Sequence, residues 1–292
     1  MKKIVFLIAV FFCVTFCVTA QAQYFPFPPT HPSSPRVPEY MVFAGDTVYL
    51  NTPDRMERMD RELISFTYGH TLSTLILKRS KRIFSIVEPI LKANGLHDDL
   101  KYLMAVESNL DPKAVSVAKA AGLWQFMEAT ARGYGLEITA EVDERYNIDK
   151  ETVAACKMLK SAYRKYGDWM TAAASYNFGG GNLDKRLQSQ HQTNAMNVLL
   201  PEETSRYMFR ILAAKMFFED PHAFGYDIKE GQMYPLLEVR HVITVNSTVE
   251  DLIAFAEKHG TTYYRLKEAN PWLRDTRLTV KPGKSYEIII PD

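Results

Sequence analysis

The chain has 292 residues, a formal net charge of +1, 47% apolar residues and 24% charged residues. That length predicts about two domains at roughly 100–200 residues each, and the composition is that of a globular protein with material for a full core. A charge so close to neutrality leaves no nucleic-acid footprint.

The first residues, MKKIVFLIAVFFCVTFCVTAQAQ, pair Lys2 and Lys3 with an apolar run from Ile4 to Val18 and a small-x-small site at Ala20-Gln21-Ala22. This is the pattern of a cleaved signal peptide over residues 1–22, and the run is short for a span of about 20 residues. Phe16 before Cys17 is too bulky for the usual lipidation site. Loss of Lys2 and Lys3 takes the net charge from +1 to −1. Of the three cysteines, only Cys156 survives cleavage, so an intramolecular disulfide is ruled out. Cys156 shares an apolar helical stripe with Ala155, Leu159, Ala162 and Tyr163, the setting of a buried, inert thiol. The seven histidines lie far apart, with no metal-ligand spacing, and no cofactor is expected.

From Tyr24 to Glu39 the segment YFPFPPTHPSSPRVPE holds six prolines, which favour an extended spacer, and residues 23–52 read as a linker. A helical extension over 53–94 follows, with helices predicted for Arg55 to Tyr68 and Leu72 to Asn94. The next runs from Asp98, placed to cap, to Ser108. Further helices fit Gly122 to Arg132, Ile148 to Tyr166, Trp169 to Tyr176, Gly181 to Gln190 and Pro201 to Phe218. The basic cluster Lys78, Arg79, Lys81 and Arg82 reads as a solvated helical face. After a connection over 223–238, two β-rich runs, EVRHVITV and SYEIII, flank two short helical runs, with Ser247 and Glu250 spaced as a capping box. The fold class is therefore mainly α, with a small βααβ unit over 239–292.

Leu100, Leu103, Met104 and Glu107 fall at i, i+3, i+4 and i+7, so Glu107 shares the stripe that faces the core. A glutamate there is ordinarily structural, snorkelling at the rim or paired with a base. Here Ser108, Asn109 and Asp111-Pro112 follow at once, placing Glu107 at a helix end where a stripe can open into a cleft. Partial burial favours the protonated carboxyl, the form a general acid needs. Three more segments stand out. In AAGLWQFMEATARGYGL, Gln125 offers both a donor and an acceptor between Trp124 and Phe126. In AAASYNFGGGN, Tyr176 and Asn177 sit where an alanine-rich helix meets three glycines. In LLPEETSRYMFRIL, a helix beginning at Pro201 carries Tyr207.

Taken in order, Glu107-Ser108, Gly122-Leu123-Trp124-Gln125, Tyr176-Asn177 and Glu203-Thr204 with Tyr207 resemble the lysozyme-like lytic transglycosylases of the membrane-bound lytic murein transglycosylase D type. The similarity runs from about Arg79 to Phe218. Residues 95–222 would then form the lysozyme-like domain, and 239–292, with LKEAN and KPG, resembles a LysM peptidoglycan-binding module. The sequence departs from that pattern at Glu128, Phe178, Ser205 and the Asn246-Ser247-Thr248 turn.

The resemblance implies cleavage of the β-1,4 bond between N-acetylmuramic acid and N-acetylglucosamine with a 1,6-anhydromuramyl product. In that scheme Glu107 acts as acid and then base, Ser108, Gln125, Tyr176 and Asn177 orient it or the acetamido group, and Tyr207 closes the cleft. It also implies peptidoglycan glycan strands as the partner, association with the outer membrane or the cell-wall synthesis machinery, a monomeric chain and a place in the periplasm or cell envelope. Asp111, Glu128 and Glu137 are close in sequence, and none has a spacing that demands a second-acid role; substrate assistance is a known exception to two-carboxylate chemistry. Two alternatives stay open: a lysozyme-type hydrolase on the same fold and a non-catalytic wall-binding scaffold. The C-terminal module either supplies affinity for the polymer or braces the rest of the chain.

Overall fold

In the computed structural model the alanine-rich run at 169–178 is a helix without an amphipathic stripe, because its neighbours enclose it. The structure describes residues 34–236 and 239–291; the expected signal peptide and most of the proline-rich segment lie outside the described residues. The helices are α1 (Pro53–Tyr68), α2 (His70–Ala93), α3 (Leu100–Ser108), α4 (Glu128–Gly133), α5 (Ile148–Tyr166), α6 (Trp169–Phe178), α7 (Gly180–Ser189), α8 (Glu202–Glu219), α9 (Leu252–Lys258) and α10 (Tyr263–Ala269). In α6 every side chain from Trp169 to Ser175 is buried, as expected of a helix enclosed on all sides. Its alanines let α5 and α8 approach closely. One apolar core runs through α1–α8, so the extension at 53–94 shares its interior with the helices that follow. Cys156 lies in that core with its thiol pushed up to about 11 by burial.

Three local expectations are corrected. Within the stretch read as linker, β1 (Tyr40–Phe43) and β2 (Asp46–Tyr49) pair antiparallel, Tyr40 opposite Tyr49 and Phe43 opposite Asp46. The two-residue turn has Ala44 at φ 51° and Gly45 at φ 95°, the mirror-image turn that suits strand twist. The hairpin buries Met41, Phe43 and Val48. Asp98 is not a cap. It pairs with Lys101, while Asp99 accepts the Ala44 N–H at 2.8 Å and faces Lys215 at 2.7 Å, tying hairpin, α3 and α8 together. The basic cluster is not a free face either. Lys81 meets Glu230 at 2.7 Å, the Arg82 Nε donates to the Pro235 carbonyl at 2.6 Å, and the Lys78 ammonium lies 5.2 Å from the Tyr234 ring centroid. These contacts fasten the 226–236 connection along α2.

The C-terminal unit is β3 (Val239–Val245), α9, α10 and β4 (Tyr286–Pro291), with the strands antiparallel and Val245 opposite Tyr286. The helix after β3 begins later than the Ser247/Glu250 spacing predicts. Thr248 Oγ1 accepts the Val280 N–H at 3.1 Å and Val249 bridges to Leu278, which keeps that stretch extended. Asp251 is the cap, accepting from Ile253 and Ala254. The unit's apolar core includes Ala121, Val142 and Tyr146 from the helical part. Around it Glu141 accepts from Thr279 N–H at 2.6 Å, Glu137 accepts from the Tyr286 hydroxyl at 2.9 Å and pairs with Lys284, and the Asp143 N–H donates to the Trp272 carbonyl at 2.9 Å.

Candidate active site

Helix α3 ends one residue after Glu107 because Asn109 (φ 53°) and Leu110 (φ 56°) both turn left-handed. The chain swings away there, and Glu107, the last turn's inward-facing polar residue, stands at the open end of an otherwise buried helix. Crowding around its carboxyl pushes the pKa up to about 7, and the charge of nearby Glu203 pushes the same way; the Tyr207 hydrogen bond and the charge of Arg210 oppose them. The outcome is a carboxyl present in both protonation states near neutral pH, suited to giving and retaking one proton.

Tyr207 sits on α8, where its hydroxyl donates to Glu107 Oε1 at 2.5 Å. Burial and the adjoining Glu107 charge raise both the Tyr207 and the Tyr176 phenols far above their ordinary value, so both remain donors. Tyr176, near the end of α6, donates to the Trp124 carbonyl at 2.6 Å. Asn177 accepts the Thr204 hydroxyl at 2.8 Å and so links α6 to the first turn of α8. Ser108 is buried, its hydroxyl donating back to the Met104 carbonyl at 3.2 Å. The structure thus joins Glu107 of α3, Tyr207 of α8 and Tyr176 of α6 in one electrostatic cluster, with Asn177 tying α6 to α8 and Ser108 bonded back within α3.

The helix expected from Gly122 to Arg132 is shorter: α4 starts only at Glu128, and residues 121–126 form a turn closed by an Ala121–Phe126 bridge. Gly122 has φ 83°, and a Cβ there would lie 1.8 Å from the Arg145 carbonyl oxygen. Gln125 adopts φ 50° and donates through its amide to the carbonyls of Gly122 at 2.8 Å and Ala114 at 3.1 Å. Its amide hydrogens therefore brace the turn, and the amide oxygen is the atom it can turn to a ligand.

Sequence reasoning missed the residue that fixes this turn. Glu151 on α5 is fully buried, and its two oxygens accept the N–H groups of Leu123 at 3.2 Å and Trp124 at 3.1 Å. Burial drives its carboxyl well above the usual range, with the two amide donors pulling against that rise. The next residue, Thr152, accepts the Trp124 indole N–H at 3.0 Å. Glu151 stands on the apolar side of its helix in the same way as Glu107, and that placement was the one signal available.

The acids close to Glu107 in sequence are committed elsewhere. Asp111 faces Arg79 at 3.2 Å, Glu128 pairs with Arg132 at 2.7 Å, and Glu137 holds Lys284 and Tyr286. Among the described residues no group of three His, Cys, Asp or Glu is placed to hold a metal ion, and no helix is long and apolar enough to cross a membrane.

Residues 86–199 match the family described as Transglycosylase SLT domain, and residues 241–292 match the Soluble lytic transglycosylase C-terminal LysM-like domain. The chain carries an SLT domain and a LysM-like module. The SLT match spans α3, the Gly122–Gln125 turn and α6, and so contains Glu107, Glu151 and Tyr176; Tyr207 lies beyond it. Membrane-bound lytic murein transglycosylase D of Escherichia coli (strain K12) is 28% identical over 255 residues, which is 85% of this chain and 54% of the relative. A putative tributyltin chloride resistance protein of Alteromonas sp. (strain M-1) is 30% identical over 127 residues, 42% of this chain and 61% of that protein. Peptidoglycan transglycosylase gp16 of Escherichia phage T7 is 35% identical over 124 residues, 41% of this chain and 9% of that protein. The chain spans about half the length of the first of these relatives.

Proposed function

We propose that this chain is a peptidoglycan lytic transglycosylase, a non-hydrolytic lyase that cleaves the β-1,4 bond between N-acetylmuramic acid and N-acetylglucosamine. The carrying observation is Glu107, held near a pKa of about 7 and hydrogen-bonded by Tyr207. In its protonated form Glu107 gives its proton to the leaving O4 as the C1–O4 bond breaks. The substrate's own N-acetyl group stabilises the positive C1. Glu107, now ionised, takes the proton of the muramyl C6 hydroxyl as that oxygen bonds to C1, which closes the 1,6-anhydro ring and regenerates the acid without consuming water. Tyr207 keeps the carboxylate oriented between the two transfers, and Tyr176, Gln125, Asn177 and Ser108 fix the walls on either side. Names of the relatives that specify murein or peptidoglycan transglycosylase support the same reading. Export by a cleaved signal peptide to the periplasm or cell envelope, and action as a monomer in wall turnover or remodelling, complete the proposal.

Glu203 gives the hydrolase reading its one foothold, because its charge acts on Glu107. Mass analysis of muropeptides from digested sacculi separates the readings. Anhydro-ended products, each lighter by one water than a hydrolysis product, are expected; new reducing ends in proportion to cleavage would establish a muramidase, and absence of cleavage a scaffold.

A further inference from the structure

The break between α1 and α2 opens a cavity of about 350 Å³ beside the candidate active site. Gly69 makes the break, and a Cβ there would lie 2.6 Å from the Ser65 carbonyl oxygen, so the chain bends where only glycine fits. The cavity is walled by Ser65, Gly69 and Leu72 from the helical extension, Val106 from α3, Asn109 just past its end, and Arg210 from α8. Val106 precedes Glu107 in the chain, and Arg210 follows Tyr207 by one helical turn, a separation of about 5–6 Å between side-chain roots. The cavity thus shares the end of α3 and the middle of α8 with the residues that hold the Glu107 carboxyl.

Its charge is set by Glu62. This fully buried carboxylate accepts Arg206 Nε at 2.7 Å and faces Arg210 Nε at 3.3 Å. One buried acid thus positions two guanidinium groups, and Arg210, tethered through its Nε, is one of the residues that line the cavity. A fixed guanidinium fork above partly apolar walls suits a carboxylate carried on a short apolar chain.

We propose that this cavity receives the peptide stem borne by the muramyl lactyl group, with Arg210 binding a stem carboxylate and Leu72 and Val106 covering the aliphatic part. The proposal rests on the transglycosylase reading and adds to it a reason for the helical extension: it supplies half of a stem-binding site.

Leu72 is 46% exposed and has no part in the proposed proton transfers, so its charge can be altered without burying a new ion. The test measures KM and kcat of the full chain on glycan strands bearing stems and on strands stripped of them by an amidase. Leu72→Glu is expected to raise KM about tenfold on stem-bearing strands, and Leu72→Lys to lower it, with neither affecting stripped strands. Arg210→Gln is expected to raise KM by a similar factor on stem-bearing strands alone. On both substrates it should also move the alkaline limb of the pH profile upward, since Arg210 favours ionised Glu107. Equal KM for the wild type on both substrates, or KM changes of equal size on both in the variants, would overturn the stem site. Products without anhydro ends on either substrate would overturn the transglycosylase reading, independently of any stem effect.

Discussion

Tyr207 and Glu107, a hundred positions apart in the chain, meet through a 2.5 Å hydrogen bond from phenol to carboxyl. The bond stabilises the ionised carboxylate and is opposed by burial, and that balance sets the pKa near 7. Tyr207→Phe removes the donor and keeps the ring, so the fold is expected to persist while the Glu107 pKa rises. The alkaline limb of kcat/KM, which reports loss of the general acid, should move up by about one pH unit, in line with one hydrogen bond to a charged group. An unmoved limb would show that another group controls it.

Glu107→Gln keeps shape and cannot deliver a proton, so turnover should fall by roughly 10²–10⁴. Stability is expected to move the other way, with a defined pH dependence. Below pH 4.5 the carboxyl is protonated whether the chain is folded or not, and it costs nothing. As pH rises toward 7 and beyond, ionisation is easier in the unfolded chain than at the crowded site, and the folded wild type loses at most about 3 kcal/mol by linkage. The variant should therefore melt higher than the wild type at pH 8 and level with it at pH 4. Paired melting curves at the two values check this; a gap that is the same at both would mean that Glu107 is not shifted.

Glu151→Ala strands two buried amides, at about 1–3 kcal/mol each. Melting should fall accordingly, and cleavage should drop further than a comparable surface change causes, because the turn bearing Gln125 loses its anchor. Gly122→Ala attacks the same turn from the other side through the 1.8 Å approach to Arg145. Soluble, well-folded Gly122→Ala protein with normal activity would show that the turn does not matter to the site.

Glu141 accepts both the N–H and the hydroxyl of Thr279, and its own carbonyl accepts the Arg274 N–H at 2.7 Å. Asp143, next to this contact, is held by Trp272, and its neighbour Arg145 donates to the carbonyls of Lys119 and Phe126 at the base of the Gln125 turn. Glu141→Ala combined with Val142→Asp should loosen the module, speed proteolysis between residues 225 and 238, and slow cleavage of short soluble glycan fragments that need no polymer affinity. Faster proteolysis with unchanged soluble-fragment turnover would confine the module to polymer binding.

Much of this was legible in the sequence where a residue's fate is set by its own element. The stripe of α5, and that of α3 with Glu107 at its end, follow from periodicity alone. The failures share a cause. Residues 122–127 carry helix-forming composition, yet Glu151, nearly thirty positions away, takes two of their amides and holds a turn. Ser247 and Glu250 have capping spacing, yet Thr248 and Val249 are pinned extended by Val280 and Leu278. Tyr40 to Tyr49 follows a proline-rich run and looks like more of it, yet its alternation buries Met41, Phe43 and Val48 against helices that come later. Local signals are overridden where a distant partner offers a better-satisfied backbone.

Ala121, Val142 and Tyr146 are contributed by one part of the chain and form part of the apolar interior of another. The LysM-like module is thus not a portable cassette. Fused behind a different enzyme, it would leave Trp272 and Leu273, now buried, facing water at the place its neighbour covers. Recombination that moved residues 239–292 alone would yield a sticky, poorly closed unit. The unit that closes on itself is the module together with Ala121, Val142 and Tyr146.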